Sequence, residues 1–169
     1  MTLPDPRVPG RYEIAVVCLG NICRSPMAHV VLEDAVDHLD GVRVRSAGTA
    51  GWHEGRPMDR RAAATLTAHG YDATQHRARQ VEESWFDECD LVLAMDEANL
   101  ADLRDLVRGG EADASRLRLF RDFDPLAGPG DREVPDPYYG DDDGFEDVLR
   151  MVRRTCEALV ADLERTLAP

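Results

Sequence analysis

Cys18-Leu19-Gly20-Asn21-Ile22-Cys23-Arg24-Ser25 places a thiol and a guanidinium at the two ends of one short loop. Successive backbone N–H groups in a tight loop ahead of a helix form a nest for an anion. Arg24 can grip two oxygens of a phosphoryl group at once. Gly20 permits unusual backbone angles, and Asn21 is the next most tolerant residue type for positive φ. Among N–H groups, a helix N-terminus and a guanidinium, the sulfur of Cys18 is favoured as thiolate, the nucleophilic form. Ser25 can donate a hydroxyl hydrogen bond to that sulfur, which helps it as nucleophile and as leaving group. The chemistry these residues fit is attack on a phosphoryl group.

Composition narrows the choice. The chain has 169 residues, 20 basic and 33 acidic, for a net charge of −13. All the basic residues are Arg. Without Lys there is no nucleotide P-loop, which requires Gly-Lys-Ser/Thr, and no Schiff-base lysine. The strong negative charge argues against nucleic acid and anionic lipid as partners. The five histidines form no HExxH, and the four cysteines (Cys18, Cys23, Cys89, Cys156) form no C-x-x-C. Asp141-Asp142-Asp143-Gly144 fails as a calcium loop, because Tyr139 and Arg150 would fall at its first and last ligand positions. No metal or cofactor is expected. No run approaches the roughly 20 apolar residues of a membrane span. MTLPDPRVPGR lacks an apolar signal region. A cytoplasmic location is expected, with export by another route left open, and four cysteines without a secretion signal are expected to be free thiols.

The elements that must hold the loop read as an alternation. Residues 1–10 carry three prolines and a glycine and read as a flexible tail ahead of one domain, 11–169. Tyr12 to Leu19 is a buried strand, short and rich in Ile and Val. Ser25-Pro26 predicts a helix start, with Ser as N-cap. Ala28, Val31, Leu32, Ala35, Val36 and Leu39 form its apolar face, and Gly41 closes it. Val42 to Ala47 alternates as a second strand. Further helices are expected over 59–69, 81–86 and 97–107, and further strands over 90–95 and 117–120. A polar loop over 121–144 leads to a last helix with its stripe from Phe145 to Leu163. Strands alternating with helices predict a single three-layer α/β domain, a four-stranded parallel sheet flanked by helices. Ligands of such sheets bind beyond the carboxyl ends of strands, where the Cys18 loop lies.

VCLGNICRSPMA resembles the signature of the low-molecular-weight protein tyrosine phosphatases. SAGT (46–49), GWHEG (51–55), HRARQ (76–80), MDEANL (95–100) and DPYYG (136–140) follow in the family's order. The resemblance implies a flavodoxin-like phosphatase fold and hydrolysis of phosphotyrosine through a cysteinyl phosphate. Cys18 would be the nucleophile, Arg24 the phosphate ligand, and Leu19, Gly20, Asn21, Ile22, Cys23 and Ser25 the rest of the loop. Phenol leaves poorly unless protonated, so an acid is needed; Asp136 matches the family's position. The resemblance also implies that Ser46 and His76 support Asn21, that Trp52, Tyr138 and Tyr139 wall the pocket, and that Cys23 can form a protective disulfide with Cys18. A kinase that modifies Tyr138 or Tyr139 is a further implied partner, beside the phosphoprotein substrate.

Two related activities share the loop. Protein arginine phosphatases tend to carry Thr after the Asn and one aromatic after Asp-Pro, whereas Ile22 and Tyr138-Tyr139 stand here. Thioredoxin-coupled arsenate reductases need two further neighbouring cysteines, and Cys89 and Cys156 are far apart in sequence. A non-catalytic phosphotyrosine-binding module would lack Cys18 or Asp136, and both are present. Oligomeric state and physiological substrate are open at this level.

Overall fold

A computed structural model describes residues 2–107, 113 and 115–169. Four strands, β1 (Tyr12–Cys18), β2 (Val42–Gly48), β3 (Leu91–Ala94) and β4 (Leu117–Leu119), form one parallel sheet in the order β2-β1-β3-β4. The helices are α1 (Arg24–Ala35), α2 (Arg60–Ala68), α3 (Trp85–Glu88), α4 (Glu97–Leu106) and α5 (Asp142–Leu167). All seven residues of β1 are buried, as a central strand covered on both faces requires.

The period of two along β1 divides the core. Tyr12, Ile14, Val16 and Cys18 join Met27, Leu32, Phe145, Val152 and Leu159 on the face covered by α1, α2 and α5. Ala15 and Val17 join Trp85, Leu100 and Leu103 under α3 and α4. This is the expected three-layer α/β fold. The chain leaves β1 toward β2 on one side and returns to β3 on the other. The crevice between the carboxyl ends of β1 and β3 is therefore the topological switch point, where α/β sheets take their ligands.

Several boundaries differ from the sequence reading. Helix α1 starts at Arg24, with Cys23 rather than Ser25 at its N-cap position and no side-chain cap. It ends at Ala35, and residues 36–39 continue as turns from which Val36 and Leu39 still pack on the core. Helix α3 lies at 85–88 rather than 81–86. Val81 instead donates its N–H to Gly48 O, and Arg79 O accepts from Gly48 N–H, so this segment runs beside the end of β2. Phe120 leaves the fourth strand for a one-turn 3-10 helix, Phe120–Phe123.

Residues 2–10 lie against the domain. Leu3 is buried, Tyr12 donates its hydroxyl to Pro4 O, and Arg7 donates to Phe86 O, Cys89 O and Asp90.

Candidate active site

Beyond Cys18 the chain turns sharply over Leu19 to Cys23 and enters α1. Of the two residues tolerant of unusual backbone angles, Asn21 takes the left-handed conformation, φ +56°, and Gly20 does not. At Gly20 a Cβ would sit 3.1 Å from the His53 ring, a tight contact that a small shift of that side chain would have to relieve. Gly48, behind the loop, is needed more strictly, since a Cβ there would lie 2.6 Å from Leu19 O.

The Asn21 side chain fixes its own strained backbone. Its amide donates to Ser25 Oγ at 2.8 Å and to Ser46 Oγ at 3.1 Å, and its Oδ1 accepts from Arg79 N–H at 3.0 Å. His76 Nε2 meets Asn21 O at 2.7 Å. A carbonyl only accepts, so that nitrogen carries hydrogen. Burial lowers the His76 pKa, with the charges of His29 and Arg77 adding to it and the bond to Asn21 opposing it. These four partners lie on three segments, Ser25 on α1, Ser46 on β2, and His76 and Arg79 between α2 and α3, so the loop is clamped from the β2 side of the sheet.

Cys18 Sγ is the focus of this arrangement. Asn21 N–H points at it across 3.3 Å, and Ser25 Oγ lies 3.0 Å away. The uncapped first turn of α1 leaves helix N–H groups for a ligand instead of a side chain.

Arg24 is buried, and its Nη1 donates to Asp96 Oδ2 at 2.6 Å and to Val134 O at 3.0 Å. Its Nη2 lies 3.7 Å from Asp136 Oδ2. Burial opposes its charge, but Cys18, Asp96 and Asp136 outweigh that and push the guanidinium pKa up. Asp96 stands just past β3 and also caps α4, accepting from Asn99 N–H at 2.7 Å. The sequence reading missed Asp96. Its signal was position, a carboxylate at the carboxyl end of the strand that borders β1 across the crevice.

The Asp136 side chain is partly exposed, and its Oδ1 accepts from Tyr138 N–H at 3.1 Å. One pocket collects Cys18, Leu19, Gly20, Ile22, Cys23, Arg24, Trp52, Asp136, Tyr138 and Tyr139, with His53 as an unforeseen member. Tyr138 and Tyr139 meet edge to face at 4.9 Å, and Trp52 and Tyr139 stand largely in solvent. Ser46 and His76 reach the loop from behind and do not line the pocket.

Two further residues brace the wall. Arg61 donates to Tyr138 O at 2.9 Å and is paired with Asp59, whose backbone N–H bonds Ile22 O at 2.8 Å. The anion loop and the Asp136 segment are thereby tied to the start of α2. All four cysteines are free, and burial raises the thiol pKa of Cys23, of Cys156, and of Cys89, the last to about 12. Among the described residues, no group of three or more His, Cys, Asp or Glu could hold a metal ion.

A cysteine–arginine anion loop at the switch point of a four-stranded parallel sheet places the chain in the class of α/β proteins built to hold a small phosphoryl-like dianion. Residues 13–168 match the family described as low molecular weight phosphotyrosine protein phosphatase, and the chain belongs to that family. It is 50% identical over 155 residues to a low molecular weight protein-tyrosine-phosphatase of Streptomyces coelicolor, covering 89% of this chain and 92% of that one. It is 42% identical to low molecular weight protein-tyrosine phosphatase A of Mycobacterium tuberculosis, covering 92% and 93%. Among solved structures it resembles YfkJ of Bacillus subtilis, with a TM-score of 0.83 and 33% identity over 95% of this chain and 98% of that one.

Proposed function

We propose that this protein hydrolyses phosphotyrosine in protein substrates by way of a phosphocysteine at Cys18. The observation that carries the proposal is the convergence on one sulfur of the Asn21 N–H, the Ser25 hydroxyl and the buried charge of Arg24. With Nη1 of Arg24 held by Asp96 and Val134, the Nε–Nη2 edge is the one that faces ligand oxygens. Charge that spreads over the phosphoryl oxygens in the transition state meets that edge and the loop N–H groups.

The Cys18 thiolate attacks phosphorus and the bond to the phenolic oxygen breaks. Asp136, protonated, delivers its proton to the leaving oxygen. In the second step the Asp136 carboxylate takes a proton from water as the water oxygen bonds phosphorus. The P–S bond then breaks, and Ser25 stabilises the departing thiolate. Trp52, Tyr138 and Tyr139 supply flat apolar walls for a phenyl ring, which supports phosphotyrosine over phosphoarginine. Tyr139 and Tyr138, exposed at the rim, are accessible to a kinase. Cys23, in the same loop, is the proposed partner of Cys18 in a protective disulfide. Among the described residues no helix is long and apolar enough to cross a membrane. A bacterial source agrees with the Streptomyces and Mycobacterium relatives, and a cytoplasmic location is proposed with it.

The test compares phosphotyrosyl and phosphoarginyl peptides, with para-nitrophenyl phosphate in EDTA and vanadate inhibition as controls. Faster turnover of phosphotyrosine, abolished in Cys18→Ser, is expected. Preference for phosphoarginine overturns the substrate assignment, and activity that survives Cys18→Ser overturns the mechanism.

A further inference from the structure

The hydrogen bonds around Asn21 continue past Ser46. His29, on the second turn of α1, places Nδ1 3.0 Å from Ser46 Oγ and Nε2 3.0 Å from Glu33 Oε2. From these contacts we infer that His29 is a positioning residue for the reaction proposed above, on which the inference rests. It sets the direction of the Ser46 hydroxyl and, through Asn21, the shape of the anion loop.

The proton assignment follows from the partners. A carboxylate only accepts, so Glu33 places the hydrogen of a neutral His29 on Nε2 and leaves Nδ1 as an acceptor. Asn21 Nδ2 donates to Ser46 Oγ, so the Ser46 hydroxyl hydrogen is directed to His29 Nδ1. The second hydrogen of the same amide goes to Ser25 Oγ, which adjoins Cys18 Sγ. One amide thus serves two serines. Ser25 faces the nucleophile, and Ser46 is oriented by an imidazole about one-quarter exposed at the protein surface. Such chains polarise bond by bond, so the outer member matters to the inner one. Without an acceptor at Nδ1 the Ser46 hydroxyl can rotate and point its hydrogen toward Asn21 Nδ2, which breaks the bond that holds the left-handed turn.

The chemistry of the side chains supplies a discriminating pair of variants. Asn at position 29 puts its carbonyl oxygen where Nδ1 lies. Gln reaches instead toward the Nε2 position and Glu33. His29→Ala is expected to lower kcat/KM about three- to tenfold, the worth of one buried hydrogen bond, with the loss mainly in kcat. His29→Asn should recover most of it and His29→Gln little, with melting temperatures of all three close to wild type. In a Ser46→Ala background His29→Ala should cost nothing further.

Recovery by Gln but not Asn, or an undiminished cost of His29→Ala without the Ser46 hydroxyl, would overturn the inference. A second readout needs no turnover: long-range 1H–15N spectra at pH 8 should show His29 as the Nε2–H tautomer, and an Nδ1–H tautomer contradicts the assignment. Inactivity of the wild-type enzyme on every phosphoester would overturn the proposed function instead, while the tautomer still tests the hydrogen-bond chain.

Discussion

Arg24 and Asp96 are joined by a 2.6 Å hydrogen bond across the crevice between β1 and β3. The loop guanidinium is therefore oriented by the strand next to the one that carries the loop. Both groups are charged, so the bond is worth about 1.5–3 kcal/mol. Asp96 has a second duty at the other oxygen, as N-cap of α4, and the two duties can be separated. Asp96→Asn keeps a capping oxygen, since Asn caps as well as Asp, but gives up the charge that holds Arg24. The expected outcome is a fall in kcat/KM of about 10–100-fold with a melting temperature several degrees below wild type, because the buried Arg24 loses its charged partner. Asp96→Ala should lose the cap as well, at about 1 kcal/mol. Steady-state kinetics on para-nitrophenyl phosphate with thermal melts checks both.

Asp136 stands 3.7 Å from the guanidinium that would hold the phosphoryl group, close enough to serve a leaving oxygen. Its removal should therefore cost most where that oxygen is most basic. Asp136→Asn is expected to slow alkyl-substituted phenyl phosphates about 10²–10⁴-fold and nitrophenyl phosphates much less. A series of aryl phosphates of graded leaving-group pKa measures this, and parallel losses across the series would contradict the acid role.

Asn21 separates backbone strain from side-chain bonding. Asn21→Gly accepts φ +56° freely but loses the bonds to Ser25, Ser46 and Arg79. Asn21→Ala loses the same bonds and adds about 1–2 kcal/mol of left-handed strain. Both variants should be poor enzymes, because the loop that aims N–H groups at Cys18 is no longer clamped. Denaturant melts should rank wild type above Gly above Ala.

Asp124 is the buried hub of the loop that delivers Val134 and Asp136. Its carboxylate accepts from Arg121 Nε, Arg154 Nε and Nη2, and Leu126 N–H. Burial alone would raise its pKa, but these partners outweigh burial and hold it well below the usual carboxylate range. A carboxyl depressed in the folded state is deprotonated there while the unfolded chain still takes up its proton near pH 4. Its stabilisation is therefore complete above about pH 5 and is lost as pH falls from there toward the folded pKa. Asp124→Asn should cost about 3 kcal/mol at pH 7, the low end for breaking a buried pair, because Arg121 keeps Asp131 and Arg154 is partly exposed. Urea melts from pH 2 to 7 should show a shallower acid slope in the variant.

What the sequence revealed and what it hid follow from the range of the forces involved. β1 was legible as a short continuous apolar run, because both of its faces are buried, and α5 because burial of one face writes a helical period into its residues. The start of α1 was misplaced because side-chain capping is the usual signal, and here the first turn is left uncapped for an anion. The turn at 120–123 was hidden because Arg121 and Asp124 are stabilised by Arg154 and Asp131, distant in the chain. The packing of residues 2–10 rests on the buried Leu3 and on scattered hydrogen bonds made by Arg7 and Tyr12, which leave no periodic trace. Cys18, Arg24 and Ser25 were legible because loop and helix start are contiguous. Asp96 was one carboxylate among 33 acidic residues, and only its place in the sheet singles it out.

Cys23 lies in the loop that Cys18 begins, and both line the same pocket. Burial, with the charges of Asp59 and Cys18, raises the Cys23 pKa, so at neutral pH it is a thiol and a slow target for peroxide. Cys18 carries the favourable N–H and hydroxyl contacts and is expected to react first, giving a sulfenic acid and water. Attack of the Cys23 sulfur on that sulfenic sulfur would form the proposed disulfide and release a second water, stopping oxidation one step below the irreversible sulfinic acid. Wild-type enzyme inactivated by stoichiometric peroxide should therefore recover with dithiothreitol, whereas Cys23→Ser should lose most of its activity for good. Mass spectrometry should find a 18–23 disulfide in the first case and sulfinic or sulfonic Cys18 in the second. Equal recovery of the two proteins would show that Cys23 only packs.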